Sequence, residues 1–201
     1  CKIHLSGEAG EMNREAIKVF REMGIGRIIF HRKNTVASMR QMIEAVNAEK
    51  LEFEAFALNE LCQFTGAFCN SLHCDEMGYL CRTTYWGDAE MEERMERVRK
   101  RTLEIEEQQE QQYLCGKSGC ALCALPHLEA AGITHLKLVG RGNYVEDMIR
   151  DIRNLKAALG VLEENQREEK ETGRYIDQLN KKIFDGQPCG NNCIYNPGQF
   201  L

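Results

Sequence analysis

The chain has 201 residues, of which 43% are hydrophobic and 28% charged, and this is enough for one domain with a sizeable hydrophobic core. Its formal net charge of -5 and pI of about 5.7 exclude an overall basic field, so nucleic acid would have to bind at a local basic patch. No apolar run reaches membrane-spanning length, and we expect a cytoplasmic protein without a membrane segment.

The first sixty residues alternate short apolar strands with amphipathic helices. Strands are predicted at Lys2–Ser6, Gly26–His31 and Leu51–Leu58. The first of the helices between them opens at Met12–Asn13. The second begins after Thr35, whose side-chain oxygen can cap the first backbone N–H groups of a helix.

The rest of the chain is richer in helix. A very polar stretch from Asp88 to about Tyr113 has one narrow apolar seam, which is typical of a solvated helix rather than of a coiled-coil partner surface. A short helix then ends at Gly132, and the predicted strand His135–Val139 follows. Asn143 opens an amphipathic helix, and a charged stretch separates it from a last helix around Tyr175.

Strands that alternate with helices predict an α/β protein with a parallel sheet and helices packed outside it. Four such units are about half of an eight-stranded (β/α) barrel, whose usual length is about 250 residues. We therefore expect a partial TIM-like barrel at residues 1–160, and a C-terminal helical extension with a cysteine-containing tail at residues 161–201. Because the chain starts at Cys1 without a methionine and enters a strand at once, we interpret it as the C-terminal half of a longer, truncated domain.

Ten cysteines are many for a chain of this size, and they are clustered. The first cluster, Cys62, Cys69, Cys74 and Cys81, follows the third predicted strand among Gly, Asn, Ser and Asp residues that favour loops. Clustering without a signal peptide favours metal or redox use over a secreted disulfide framework. Free cysteines that simply pack as small hydrophobic side chains are the alternative.

A second cluster contains Cys120 and Cys123, which form a C-x-x-C pair. The pair precedes a proline and an apolar helix instead of following a strand, and this disfavours a thioredoxin-type redox site. The spacing of the cysteines matches neither a zinc ribbon nor a ferredoxin run. The residues alone therefore leave open a four-cysteine iron–sulfur site, a zinc site or no metal site.

The stretch ELCQFTGAFCNS, with EAF just before it, resembles the signature of the collagenase-like peptidase family, family thirty-two among peptidases of unknown catalytic type. The signature is a Glu-x-Phe strand followed by two cysteines that six residues separate. Its positions correspond to Glu54, Phe56, Cys62 and Cys69, and the pair Cys81–Arg82 is similar to the family's later Cys-Arg.

A second stretch, CALCALPHLEAAGITHLKLVGRG, resembles another part of the same family, so that the likeness extends over residues 3 to 150. The matching positions are Cys120, Pro126, Leu128, Gly132, Lys137, Gly140 and Arg141. Three departures indicate a divergent member. The family's glycine before the first cysteine is absent, and Asn59 and Glu60 lie near that point. Gly66 lies one position earlier than the glycine of the family's six-residue gap, and Val139 replaces the glutamate that usually precedes Gly-Arg.

The resemblance implies a [4Fe–4S] cluster, because well-studied relatives look like iron–sulfur proteins that hydroxylate RNA bases or a quinone precursor without oxygen. Prephenate is the suggested hydroxyl source for some of them. The implied partners are therefore a small carboxylate such as prephenate, RNA, and a partner subunit. Carried over by position, the cluster ligands are Cys62, Cys69, Cys81 and Cys120, with Cys74 and Cys123 as alternates for the last two.

Two functions other than hydroxylation stay open. For the metal site, zinc is a weaker alternative to the iron–sulfur cluster. The family label implies a peptidase, although the sequence has no H-E-x-x-H, no G-x-S-x-G and no clear Cys–His–Asn set. The second alternative function is that of a non-catalytic iron–sulfur subunit. The sequence names no catalytic residue, and none of the five histidines has a spacing that assigns it a role; these are His4, His31, His73, His127 and His135.

Four charged residues are predicted to contact substrate. Lys137 on the fourth predicted strand and Arg141 just beyond it lie where a barrel presents its site, and arginine suits carboxylate or phosphate. Glu54 and Arg82 are weaker predictions of the same kind. For the tail cysteines, Cys189 and Cys193, we expect no ligand role.

Overall fold

The structure is a computed structural model that describes residues 1–9, 13–46, 51–59, 115–116, 119–140, 144–167, 172–186 and 193–195. The predicted polar helix at 88–113 lies outside the described residues, as do the cysteines of the first cluster.

Four parallel strands form one sheet in the order β1-β2-β3-β4. The strands are β1 (Ile3–Leu5), β2 (Ile25–Ile29), β3 (Glu52–Leu58) and β4 (His135–Leu138). All four lie where the sequence predicts them, although β2 ends two residues before His31. The α/β class is thereby confirmed, and closure into a barrel stays a prediction.

Five helices connect or follow these strands in the described part of the chain. They are α1 (Arg14–Glu22), α2 (Val36–Ala45), α3 (Leu125–Ala130), α4 (Val145–Arg167) and α5 (Thr172–Ile183). The predicted cap at Thr35 is confirmed, and Asn13 caps α1 in the same way. The Asn13 side chain accepts a hydrogen bond from Ala16 N at 2.9 Å, and Thr35 Oγ1 accepts one from Ser38 N at 3.0 Å.

One face of the sheet forms the hydrophobic core. Phe53, Ala55 and Ala57 alternate along β3 and are at most 1% exposed. The Phe53 ring stacks on Phe30 with 5.6 Å between the ring centroids. Residues from several helices complete the same cluster, among them Ile17, Met39, Leu128, Ala158 and Leu179.

The alternate residues of the same strands carry charge. Arg27 on β2 lies between two glutamates of β3, at 2.8 Å from a Glu52 oxygen and 3.0 Å from a Glu54 oxygen. Lys2 approaches Glu52 from the other side at 2.5 Å. Hydrogen bonds from Lys2 and then Arg27 lower the pKa of Glu52 to about 2. This row of charges crosses the strands on the side away from the core face.

Helix α4 is longer than the sequence indicates, since it continues into the charged stretch at 163–171 as far as Arg167. Glu163 and Glu164 are exposed there, whereas Asn165 is buried. The Asn165 amide donates to Val161 O at 2.7 Å and to Gln178 Oε1 of α5 at 2.5 Å. Glu163 and Glu164 therefore lie on the solvent side of α4, and the helix does not end at them. The helix crosses residue 160, and the division into two regions stays a prediction.

Among the described residues, no helix combines the length and the apolar character needed to cross a membrane.

Candidate cysteine site

Cys120 lies at the carboxyl end of β3, where sites are built in parallel α/β sheets. It forms an isolated antiparallel bridge with Leu58, the last residue of that strand. Two backbone hydrogen bonds frame the bridge, from Ala121 N to Ala57 O at 2.8 Å and from Asn59 N to Gly119 O at 2.7 Å. The main chain of Cys120 is therefore fixed directly to the sheet.

A buried carboxylate ties this strand end to the second cysteine cluster. Asp151 on α4 is 0% exposed and accepts hydrogen bonds from Asn59 Nδ2 at 2.7 Å and from Gly116 N at 2.9 Å. Asn59 has a φ of 64°, a left-handed conformation that asparagine tolerates better than most residues. Asp151 thus joins α4, the end of β3 and the segment that leads to Cys120.

Cys115 is a direct neighbour of Cys120. The Cys115 thiol donates a hydrogen bond to the Cys120 sulfur, which lowers the pKa of Cys120 together with the Leu122 backbone N–H and against the effect of burial. The same hydrogen bond, burial and the negative charges of Cys120 and Asp151 raise the pKa of Cys115. The two pKa values therefore shift in opposite directions, with that of Cys120 lowered.

A tight turn produces this contact. Gly119 N donates to Gly116 O at 2.9 Å, and Gly116 has a φ of 63°. A Cβ added at Gly116 would stand 3.0 Å from the Cys120 Cβ and 2.4 Å from Gly119 O. Only glycine allows the turn to close this far.

The C-terminal tail returns to the same place. Cys193 forms a parallel bridge with Cys120, and Ile194 N donates to Cys120 O at 2.9 Å. Tyr195 is 2% exposed and makes a hydrogen bond with the backbone of Phe56 on β3. Burial raises the pKa of its phenol. The main chain of Cys120 thus lies between the end of β3 and the tail.

Cys123 lies in the short 3-10 turn Leu122–Ala124 that leads into α3. Tyr175 of α5 anchors this turn, because its buried hydroxyl donates to Leu122 O at 2.7 Å. The pKa of Tyr175 is raised by burial and then by the negative charges of Cys123 and Cys120. Both cysteines of the C-x-x-C pair therefore lie close to this phenol.

Two of the four predicted substrate contacts are described. Lys137 on β4 is half-buried, and its ammonium lies over the Phe56 ring at 5.0 Å from the centroid. Glu54 is 9% exposed and is paired with Arg27. The residues 54 and 56 of β3 and 135 and 137 of β4 share one face of the sheet, since the strands are in register there. Arg82 and Arg141 lie outside the described residues.

Of the predicted metal ligands, the structure describes Cys120 and the alternate Cys123. Cys62, Cys69, Cys74 and Cys81 lie outside the described residues. Within the described ranges, no group of three or more His, Cys, Asp or Glu side chains is arranged to hold a metal ion. The four-cysteine site therefore stays a prediction, and of its four expected ligands only Cys120 lies in the described part of the chain.

Comparison with known proteins assigns the chain to a family. The model of peptidase family U32 matches residues 1–191. The chain belongs to peptidase family U32. The resemblance seen in the two cysteine motifs is thereby confirmed. No curated protein and no solved structure matches the chain.

Sequence reasoning missed four residues of this site: Asn59, Cys115, Asp151 and the pairing partner Cys193. A signal for Asp151 was present, since it lies three residues after Met148 and four before Leu155 on the apolar stripe of α4. A carboxylate at such a position must find hydrogen-bond donors inside the fold.

Proposed function

We propose that this U32 protein holds a [4Fe–4S] cluster through Cys62, Cys69, Cys81 and Cys120, and uses it to hydroxylate an RNA base or a small aromatic precursor without oxygen. The observation that supports the proposal is the setting of Cys120. Its main chain is fixed at the carboxyl end of β3, and a hydrogen bond from Cys115 and the Leu122 backbone N–H lower the pKa of its thiol. Thiolate is the form of cysteine that binds metal.

The donor set fits such a cluster. Cys62 follows Leu58 by four positions in the sequence, and Leu58 is bridged to Cys120. The first and the last of the four proposed ligands therefore start from the same strand end. Soft thiolate ligands from glycine-containing segments are what iron–sulfur clusters require.

The residues around Cys120 supply a second set of contacts. The Leu122 N–H and the Cys115 thiol both donate to the Cys120 sulfur. Hydrogen bonds to ligand sulfurs and burial tune the potential of a cluster. When bound through four cysteines, a [4Fe–4S] group would supply one-electron chemistry.

Lys137 is the described residue best suited to bind an anionic substrate such as prephenate. Its ammonium is half-buried over Phe56, on the face of the sheet that also carries Glu54. Partial burial strengthens an ionic contact relative to the same contact in water. In this proposal Arg141 and Arg82 add guanidinium groups, which suit carboxylate and phosphate.

The cysteine site gives no support to a thiol-peptidase mechanism. Such an enzyme needs a thiolate next to a base, in most cases a histidine. In the described part of the chain, the groups that shift the pKa of Cys120 are Cys115, the Leu122 backbone and Asp151, and no histidine is among them.

The test is anaerobic purification of the 201-residue chain, followed by iron and sulfide analysis and two activity assays. We expect about four iron and four sulfide per chain, and iron-dependent hydroxylation when RNA or aromatic precursors are supplied. A metal-free chain that still cleaves peptides after treatment with a chelator would instead establish the peptidase. A loaded chain with neither activity would favour the non-catalytic subunit.

A further inference from the structure

An exposed apolar stripe lies on the N-terminal part of α4. Of the seven large hydrophobic side chains that are exposed in the described part of the chain, four lie between residues 144 and 152. Val145, Ile149 and Ile152 are 66%, 44% and 46% exposed, and their spacing of four and three residues aligns them along one side of the helix. We call these three residues the α4 stripe.

The α4 stripe is distinct from the side of α4 that joins the core. Asp151, Leu155 and Ala158 are buried on that side, where Leu155 and Ala158 belong to the core cluster. With 3.6 residues per turn, the stripe residues lie about 100–160° around the helix axis from Asp151. The helix therefore buries one side in its own chain and presents a second, apolar side to solvent. Exposed apolar surface of this kind marks a contact with another element.

The charges along the edge of the stripe identify what fits it. Glu146 and Arg153 are exposed, and because seven residues separate them they lie on the same flank of α4. Glu146 follows the first stripe residue and Arg153 follows the last, so the flank is acidic at one end and basic at the other. The midpoint between them falls beside Ile149. A second α4 that runs in the opposite direction would therefore set each glutamate opposite an arginine.

We propose that the α4 stripe is the docking surface for a second copy of this chain, with the two α4 helices antiparallel about a twofold axis beside Ile149. The two Ile149 side chains meet next to the axis, and Val145 of each copy packs against Ile152 of the other. Glu146 of each copy pairs with Arg153 of the other, so the contact contains two ion pairs. A surface this small supports a dimer that exchanges with monomer, with a dissociation constant of about micromolar order. The cysteine site takes no part in the contact, and the proposal stands without the proposed function.

Analytical ultracentrifugation of the 201-residue chain over a range of concentrations tests the dimer, with a reductant present to exclude disulfide-linked species. We expect the mass to rise from that of the 23.0 kDa monomer to twice that value. Ile149→Glu brings two carboxylates together at the axis and should weaken association on the order of a hundredfold. Val19→Glu is the matched control, because Val19 is an equally exposed apolar residue of α1, and it should leave association unchanged.

Exchange of the two flanking charges tests the antiparallel register. Glu146→Arg and Arg153→Glu each place like charges opposite one another twice, and each should weaken association about tenfold at low salt. The double variant should associate as the unsubstituted chain does. An equimolar mixture of the two single variants should associate as well, because each of its two junctions then joins an arginine to a glutamate. A double variant or a mixture that stays as weak as the single variants would overturn the proposal.

A chain that stays monomeric at every concentration would also overturn the proposal, and thermal unfolding then identifies the other occupant. If another part of the same chain covers the stripe, Ile149→Glu should lower the melting temperature far more than Val19→Glu does. If a different protein covers it, the two variants should unfold alike. A dimer without bound iron would support this inference and reject the cluster, whereas a monomer with a full iron content would do the reverse.

Discussion

The Asn59 amide nitrogen donates to the Asp151 carboxylate at 2.7 Å inside the protein, across 92 positions of sequence. The same carboxylate accepts from Gly116 N, so one side chain connects the end of β3 to the cysteine segment. Because Asp151 is fully buried, these contacts are shielded from water. The conformation around Cys120 therefore depends on a residue that is distant from it in sequence.

Removal of Asp151 should destabilise the protein strongly. Asp151→Ala leaves two buried donors without their acceptor, and we expect a loss of about 3 kcal/mol in the free energy of unfolding. Asp147→Ala on the same helix is the matched control, since Asp147 is half-buried and its ion-pair partner Arg150 is 4.0 Å away. Urea unfolding of both variants measures the difference. Equal losses would show that Asp151 has no special role.

The two features of Asn59 can be separated by substitution. Asn59→Gly keeps the left-handed backbone at a φ of 64° but loses the hydrogen bond, whereas Asn59→Ala loses both. We expect the alanine variant to be less stable than the glycine variant by about 1 kcal/mol. Thermal unfolding of the two variants under one set of conditions tests this order. A glycine variant that is less stable than the alanine variant would mean that the left-handed backbone at position 59 costs the alanine variant no stability.

The hydroxyl of Tyr175 should matter more than that of an exposed tyrosine. Tyr175→Phe leaves the buried Leu122 carbonyl without its donor, and we expect a loss of about 1–2 kcal/mol. Tyr144 is 70% exposed, so Tyr144→Phe should leave the free energy of unfolding nearly unchanged. The urea concentrations at the midpoints of unfolding compare the two variants. Because Leu122 N contacts the Cys120 sulfur, Tyr175→Phe should also speed the alkylation of Cys120 by iodoacetamide.

Glu52 should contribute to stability in mild but not in strong acid. Its pKa is lowered to about 2 in the folded protein from 4.5, first by Lys2 and then by Arg27. A lowered folded-state pKa means that the contribution is complete above pH 4.5 and is lost as the pH falls toward 2. Glu52→Gln should therefore lose less stability than the unsubstituted chain over this range. Glu22→Gln, at an exposed position of α1, should not change the slope.

Lys137 should bind a small dianion if it serves the substrate site. Lys137→Gln should weaken the binding of prephenate to the anaerobically purified chain about tenfold, which corresponds to about 1.4 kcal/mol. Lys156→Gln removes the same charge from an exposed position of α4 and should leave the affinity unchanged. Titration calorimetry gives both values. Unchanged affinity in Lys137→Gln would remove this residue from the site.

Local sequence signals were enough to predict the strands and the helix cap at Thr35. Thr35 caps α2 through Ser38 N, three residues away, and the apolar run at 51–58 contains the buried strand β3. The end of α4 was not predictable in this way. Its charged residues read as a linker, and only the contact of Asn165 with Gln178 of α5 shows why the helix continues.

The site was less predictable than the fold, because its contacts join distant positions. Motif positions identified Cys120, but nothing local to Cys193 indicates that the tail pairs with it. The role of Cys115 was also hidden. It depends on a turn that two glycines close and that a carboxylate from another helix holds.

In the proposed function, Cys120 shares an iron–sulfur cluster with Cys62, Cys69 and Cys81. Variants of these four cysteines test this directly. Each is replaced by serine, with Cys74→Ser and Cys123→Ser as controls from the same two clusters, and iron is measured after anaerobic reconstitution. We expect each of the four ligand variants to lose most of its bound iron and its broad visible absorption, while the two controls keep both. Full iron in Cys120→Ser, or equal losses in all six variants, would contradict it.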